Sequence, residues 1–393
     1  MRDSLYIAWR YLSFYRMRTG TLIAVVALIA TIPAALAILS AEAERQLTAR
    51  AAATPLLVGA PGSALDLTMN ALYFRLQPPN LLAMAEADDI DASGLAYAIP
   101  LYVRFHARGA PIVGTAIDYF KLRGLRLARG RPFAVLGEAV LGSEAARRLG
   151  AGAGGAIVSS PENPFDLAGS YPLKMPVVGV LAPTGTPDDR AVFVDVRTTW
   201  IIEGLGHGHE DLARVRDSSV LLKREGGELV ANAKLMQYAE IDRDNIDSFH
   251  FHGPQGGFPL TGAIAVARDG RAETILRGRY EDTAARAQAV KPAGVMAGVI
   301  DDIFRVRDLI AGIVALVAAA TVLALALVFN LSLRLREREM EVLFHIGAQR
   351  LTAVRLVAAE IALLLTAGLA LAAIVSAALS VYRQPLVQWL ALQ

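Results

Sequence analysis

The stretch Thr21–Leu39 reads TLIAVVALIATIPAALAIL. It is uncharged and predominantly apolar, and about 20 such residues span a bilayer as a helix. Arg2, Arg10, Arg16 and Arg18 precede it, and Glu42 and Glu44 follow it. The positive-inside rule then places the N-terminus in the cytoplasm. A rival reading is a cleaved signal peptide, with Ala41 and Ala43 as an A-x-A site. Against it, the run is longer than a signal core. The segment before it, Ser4–Leu12 (SLYIAWRYL), is amphipathic with interfacial Tyr and Trp rather than a short basic tip. That segment is either a helix lying on the bilayer or an elbow that passes motion into the first span.

Working outward, a second apolar run covers Leu309–Leu333, with Arg305 and Arg307 before it and Arg334, Arg336 and Arg338 after it. A third extends from about Val354 to Leu379 and contains one charge, Glu360. Alternation across the membrane gives an amphipathic cytoplasmic elbow at 1–20, a first span at 21–41 and an outer domain at 42–305. A second span at 306–333, a cytoplasmic loop at 334–352, a third span at 353–380 and a short outer tail at 381–393 follow.

Composition agrees. Of 393 residues, 54% are hydrophobic, and the mean hydropathy is +0.41, more apolar than an ordinary soluble chain. A formal net charge of +2 gives no bulk attraction for nucleic acid. The absence of cysteine excludes disulfides, thiolate nucleophiles and Cys-based metal sites.

The outer segment is polar and rich in turn signals. Strands are expected at Pro55–Ala60, Leu95–Phe105, Pro111–Ile117, Met175–Leu181, Ala191–Val196, Val220–Lys223 and Thr261–Ala267. Helices are expected at Gly137–Leu149 and Gly227–Ala239, and from Tyr280 to Asp308 into the second span. Gly150–Gly155 and Ser159–Asp166 read as loops. The fold class is α+β, with three transmembrane helices.

Several stretches, taken in order, carry a family likeness: Gly114–Phe120 (GTAIDYF), Gly130-Arg131-Pro132, Glu138–Gly150 (EAVLGSEAARRLG), Val177–Leu181 (VVGVL) and Thr186–Asp189 (TPDD). With the layout of one span, a large outer domain and closely spaced spans, they resemble the FtsX/MacB-type permeases, the mechanotransmission or type VII ABC transporters. The outer stretches resemble that family's periplasmic core. Arg336–Ala348 (REREMEVLFHIGA) resembles the cytoplasmic loop that docks on the ATPase, and Glu360 matches a glutamate common in the third span. The family normally has four spans. Too few residues follow Leu379 for another, so the chain is either a three-span variant or truncated.

The resemblance implies a bacterial inner-membrane, multi-pass permease subunit with its large domain in the periplasm and no catalysis of its own. Implied partners are a dimeric cytoplasmic ABC ATPase that holds ATP and Mg, a second permease copy or homologue, membrane lipid, and a periplasmic adaptor or substrate-binding protein. The cargo class would be a lipoprotein, lipid, peptide or small molecule. In keeping with a separate ATPase, no Walker loop occurs. Gly59-Ala60-Pro61-Gly62-Ser63 lacks the lysine.

The coupling residues implied are Arg336, Glu337, Arg338, Glu339, Glu341, Leu343, His345, Gly347 and Arg350. As a helix, the segment sets Arg336, Met340, Leu343 and Gly347 on one face and ends at Gly347 as C-cap. The other reading is an ordinary charged connector between spans, and the resemblance favours coupling. Glu360 either snorkels to the interface or contacts Arg355 or the loop arginines. Ala311, Ala315 and Ala319, and Gly368, Ala372, Ser376 and Ser380, form small-residue stripes suited to close helix packing, a pattern that alanine-rich helices also give by chance.

Two H-x-H pairs, His207/His209 and His250/His252, could grip a metal from a strand face, although surface histidine is the ordinary explanation. No G-x-S-x-G elbow is present. Two other functions therefore stand beside the permease: a membrane scaffold or sensor that activates a periplasmic cell-wall enzyme, and a membrane-anchored metalloenzyme.

Overall fold

The computed structural model describes residues 2–77, 79–160, 172–208, 221–225, 228–231, 239–241, 245–281, 286–335, 345 and 350–390. The chain divides into two compact units, Met1–Leu47 with Ala297–Gln393, and Thr48–Met296. Among the described residues the α-helices are α1 (Arg2–Phe14), α2 (Arg16–Ala52), α3 (Ala64–Tyr73), α4 (Met84–Ala92), α5 (Asp118–Arg123), α6 (Ser143–Leu149), α7 (Val196–Glu203), α8 (Gly270–Arg279), α9 (Pro292–Leu335) and α10 (Arg350–Leu390).

Among the described residues three helices are long and apolar enough to cross a membrane, with candidate spans at Arg16–Glu42, Pro292–Ala324 and Val354–Tyr382. The expected elbow at 1–20 is two pieces, because the chain turns at Tyr15 between α1 and α2. Thr19 Oγ1 crosses that turn and donates to the Leu12 carbonyl at 2.9 Å, giving it a partner where the helix is interrupted. Helix α9 does not begin at Tyr280. It starts at Pro292, at a helix start where proline's missing N–H costs nothing. Helix α10 continues to Leu390, through most of the segment read as a tail.

The unit Thr48–Met296 is built on a mixed sheet. Its strands are β1 (Leu56–Gly59), β2 (Ala96–Ala107), β3 (Ala110–Thr115), β4 (Leu127–Gly130), β5 (Ala139–Leu141), β6 (Ala156–Val158), β7 (Leu173–Leu181), β8 (Val192–Asp195), β9 (Ala239–Glu240), β10 (Gly262–Ala267) and β11 (Gln288–Val290). The order across the sheet is β9-β7-β5-β8-β3-β2-β10-β1-β11, with β4 and β6 also paired to β7. Strands β2 and β3 form a hairpin through Arg108 and Gly109, both at positive φ (47° and 80°), the turn geometry that matches strand twist. Strand β7 alternates strictly, with Leu173, Met175, Val177 and Leu181 buried between half-buried neighbours. The core gathers Leu56, Tyr102, Phe105, Ile112, Leu141, Val194 and Trp200.

Two helix expectations fail here. Gly137–Leu149 splits into strand β5 and helix α6. Ala139, Val140 and Leu141 pair with both β7 and β8 and are completely buried, so sheet packing overrides the helical spacing. In Gly227–Ala239, Glu228–Ala231 is a strand in a hairpin with Leu221–Glu225, and 232–238 lie outside the described residues. Helices α3 and α8 were not expected, yet each carries a side-chain cap. Ser63 Oγ accepts from Asp66 N at 3.1 Å, and Asp269 Oδ1 from Ala272 N at 2.7 Å.

Candidate functional site

In the unit Thr48–Met296, the last turn of α2 places Arg50 in the interior. Its Nη1 donates to Asp188 Oδ2 at 2.6 Å and its Nη2 to Asp188 Oδ1 at 3.0 Å, a two-pronged pair. Nη2 also donates to Tyr119 Oη at 2.8 Å, and Nε to the Leu72 carbonyl. The Tyr119 hydroxyl donates to Asp188 Oδ1 at 2.8 Å, and Thr186 Oγ1 to Asp188 Oδ2 at 2.8 Å. The guanidinium lies 5.4 Å from the centre of the Phe74 ring, and Phe74 and Tyr119 both pack on Phe193.

An isolated charge this deeply buried would be prohibitively costly, and the dense bonding is what makes it tolerable. The electrostatics follow. Burial pushes the Asp188 carboxyl up, but the Arg50 charge and its hydrogen bonds outweigh this and hold it below the usual carboxylate range. Burial lowers Arg50, yet Tyr119 and Asp188 keep it above its ordinary value. Burial pushes the Tyr119 hydroxyl up to about 12.

Two of the separated motif stretches meet in this network. Tyr119 belongs to Gly114–Phe120 and Asp188 to Thr186–Asp189. Thr54 Oγ1 donates to the Arg50 carbonyl at 2.9 Å and accepts from Arg123 Nη2 at 2.9 Å. A Cβ at Gly142 would stand 2.2 Å from the Asp188 carbonyl oxygen, so only glycine lets α6 approach the Asp188 turn. Nearby, Arg131 of Gly130-Arg131-Pro132 donates from Nη1 to Glu138 Oε2 at 2.7 Å, and from Nη2 to Oε1. Glu138 also accepts from Ala134 N at 2.9 Å and Val135 N at 3.2 Å. Burial raises this carboxyl, but these bonds hold it low overall.

Sequence reasoning quoted Tyr119 and Asp188 only as parts of motifs and passed over Arg50. The available signal was a lone arginine ending an alanine-rich helical stretch that runs straight into a strand, Arg50-Ala51-Ala52-Ala53-Thr54.

In the helical unit, α1 packs against α10. Helix α10 buries Leu356, Glu360, Leu364, Gly368 and Ala372, one residue every four, and Ser376 and Ser380 continue the stripe half-buried. Glu360 is 3% exposed, whereas Arg355 is exposed. A Cβ at Gly368 would stand 2.6 Å from Val26 Cγ1, so α2 and α10 approach closely at that glycine. Ala311, Ala315 and Ala319 on α9 are exposed.

Of the loop residues, Arg336, Glu337, Arg338, Glu339, Glu341, Leu343 and Gly347 lie outside the described residues. His345 is exposed, and Arg350 opens α10. Of the histidines, His207 sits opposite His250 in a two-stranded ribbon, and the rings of His250 and His252, both exposed, are 4.9 Å apart. His209 lies outside the described residues. Among the described residues no group of three potential ligands could hold a metal.

Compared with known proteins, residues 19–234 match the family described as the MacB-like periplasmic core domain. The solved periplasmic region of MacB from Actinobacillus actinomycetemcomitans is 11% identical, with a TM-score of 0.33, over 63% of this chain and 94% of that one. The extracellular domain of the noncanonic ABC-type transporter YknZ from Gram-positive bacteria is 10% identical, with a TM-score of 0.33, over 60% of this chain and 98% of that one. No curated protein matches.

Proposed function

The chain belongs to the FtsX/MacB-type family of ABC transporter permeases, membrane-associated subunits that carry a MacB-like periplasmic core domain and work with an ABC ATPase, and from that premise we propose that it transmits ATP-driven motion to this domain. The motion would serve export or extraction of a substrate such as a lipoprotein, lipid or peptide. In this reading a separate cytoplasmic ATPase binds ATP and Mg, and Arg336–Arg350 docks on it. The permease acts as a pair in the bacterial inner membrane, N-terminus inside, with an adaptor or substrate-binding protein as its outer partner.

The observation that carries this reading is the seating of Arg50. The helix that holds the first candidate span also holds a buried arginine bound to Asp188, Tyr119 and the Leu72 carbonyl. A contact this specific at the end of a spanning helix is suited to bearing load, because its bonds have no alternative partner once broken in the dry interior.

The test is to purify the full-length chain with cross-linking and identify its companions by mass spectrometry. A stoichiometric ATPase with a Walker lysine is expected. Arg336→Glu with Arg338→Glu should leave ATP hydrolysis running while outer-domain activity is lost. Recovery of periplasmic cell-wall enzymes alone would replace the proposal with the scaffold reading.

A further inference from the structure

Within the helical unit a cavity of about 560 Å³ opens between α1, α2 and α10, inside the range of about 300–1,000 Å³ typical of small-molecule sites. Its walls are apolar, with Leu12, Ile23, Leu363 and Leu364 among them, and Trp9 and Arg16 also line it. Along α2 the lining runs from Arg16 to Ile23, into the candidate span Arg16–Glu42. Between Asp3 and Glu42 the chain carries Arg10, Arg16 and Arg18 and no acid. No carboxylate among the described residues pairs with Arg16. An apolar cavity with an unmatched cation beside it, at the start of a candidate span, has the chemistry of an acyl chain joined to an anionic headgroup.

We propose that this cavity binds one anionic phospholipid, its acyl chain against Leu12, Ile23 and Leu364 and its phosphate paired with Arg16. The site rests on reading Arg16–Glu42 as a span. It would fix the elbow to lipid and make the angle between α1 and α2 sensitive to the headgroup charge of the surrounding membrane.

The chain has three tryptophans, so Trp200→Phe with Trp389→Phe leaves Trp9, which lines the cavity and is 61% exposed, as the reporter at its rim. The full-length protein is placed in phosphatidylcholine vesicles containing phosphatidylglycerol, with brominated acyl chains on one lipid or the other at equal mole fraction. Trp9 should be quenched by brominated phosphatidylglycerol with about a fivefold preference, the gain one basic group makes at an anionic surface. Arg16→Gln should abolish the preference, and Arg18→Gln, outside the cavity lining, should keep it. Gly20 lines the cavity, and a Cβ there meets no atom within 4 Å, so Gly20→Leu should fill the slot and reduce quenching by both lipids.

Equal quenching by the two lipids, or equal loss from Arg16→Gln and Arg18→Gln, would overturn the site and leave only diffuse attraction. Vesicle flotation of the same samples reports the span separately, and a chain that fails to float overturns both. If Trp200→Phe prevents folding, native mass spectrometry of the otherwise unaltered chain gives the same decision, with retained phosphatidylglycerol expected and its loss expected in Arg16→Gln.

Discussion

The two units bury opposite kinds of residue. In Thr48–Met296 the large apolar side chains are inside, among them Trp200, Tyr102, Phe193 and Leu56. In the helical unit many of them are outside, although Leu12, Leu356 and Leu364 are buried. Leu316 is 73% exposed, and Leu309, Leu323 and Leu331 are exposed as well, while the buried positions include Ala8, Ala27, Glu360, Gly368 and Ala372. Water drives the first arrangement by expelling apolar surface. Lipid is as apolar as leucine and gives no such drive, so helices there associate through small residues and a few polar contacts. The first unit buries Arg50 beside its partner Asp188, with Glu138 and Asp189, whereas the buried charges described in the helical unit are the acids Glu42 and Glu360. The contrast teaches that one chain has been fitted to two solvents, and that its exposed leucines are no defect.

The comparison is broken most severely at Arg50. Arg50→Met strands Asp188 without its cation and should destabilise the outer unit by about 3–5 kcal/mol, read as a lowered urea midpoint for the full-length chain. Adding Asp188→Leu should restore much of that loss, because replacing both partners removes the desolvation cost with the charge. A double variant no better than the single one would mean that the network's other bonds, and not the pair, are what matter.

Next in size is a matched pair of surface changes. Leu316→Lys puts a charge in a candidate span, at about 3 kcal/mol on insertion scales, and should lower the fraction resisting carbonate extraction. Leu65→Lys, at an exposed position of the outer unit (40%), should stay within about 0.5 kcal/mol. Similar responses would erase the two-solvent reading.

Smaller effects come from the two glycines. Gly142→Ala, against the Asp188 backbone, and Gly368→Val, against Val26, each overfill a close approach and should cost about 1–3 kcal/mol. Thermal melts should show Gly142→Ala acting on the outer unit and Gly368→Val on the helical one.

The smallest and most selective is pH. Tyr119 is raised from about 10 in the unfolded chain to about 12 in the fold, so its contribution is complete below pH 10 and is lost as pH rises toward 12. Tyr73 is also raised to about 12 by burial, so Tyr119→Phe should flatten only part of that alkaline decline. The lowered Asp188 works in the other direction, since its contribution is present above the ordinary carboxylate range and fades as pH falls below it.

Much of the architecture was legible because its signals are local. The strands expected at Leu95–Phe105, Pro111–Ile117 and Met175–Leu181 overlap β2, β3 and β7, and the three long apolar runs mark helices. Where two signals competed, the local one lost. The stretch 137–149 has helical spacing, but Ala139–Leu141 is sealed between two strands, a fact held by residues 173–181 and 192–195. The Asp188 turn illustrates a middle case. Thr186–Asp189 carries part of the family likeness, and Thr186 Oγ1 caps a short turn of helix there, yet nothing near it in the chain announces an arginine 138 positions earlier as its partner.

By itself, then, the sequence determined where apolar residues run long enough to need lipid, that no nucleotide loop or thiol chemistry belongs to the chain, and which stretches carry the family likeness, because length, composition and order are properties of a string. Only the tertiary structure decided that Gly114–Phe120 and Thr186–Asp189 meet at Arg50, that Gly142 and Gly368 are points of close approach, and that a cavity of about 560 Å³ lies beside Arg16. Burial of a charge, the distance between remote atoms and the space left between helices depend on which surfaces the folded backbone brings together, and no local periodicity encodes that.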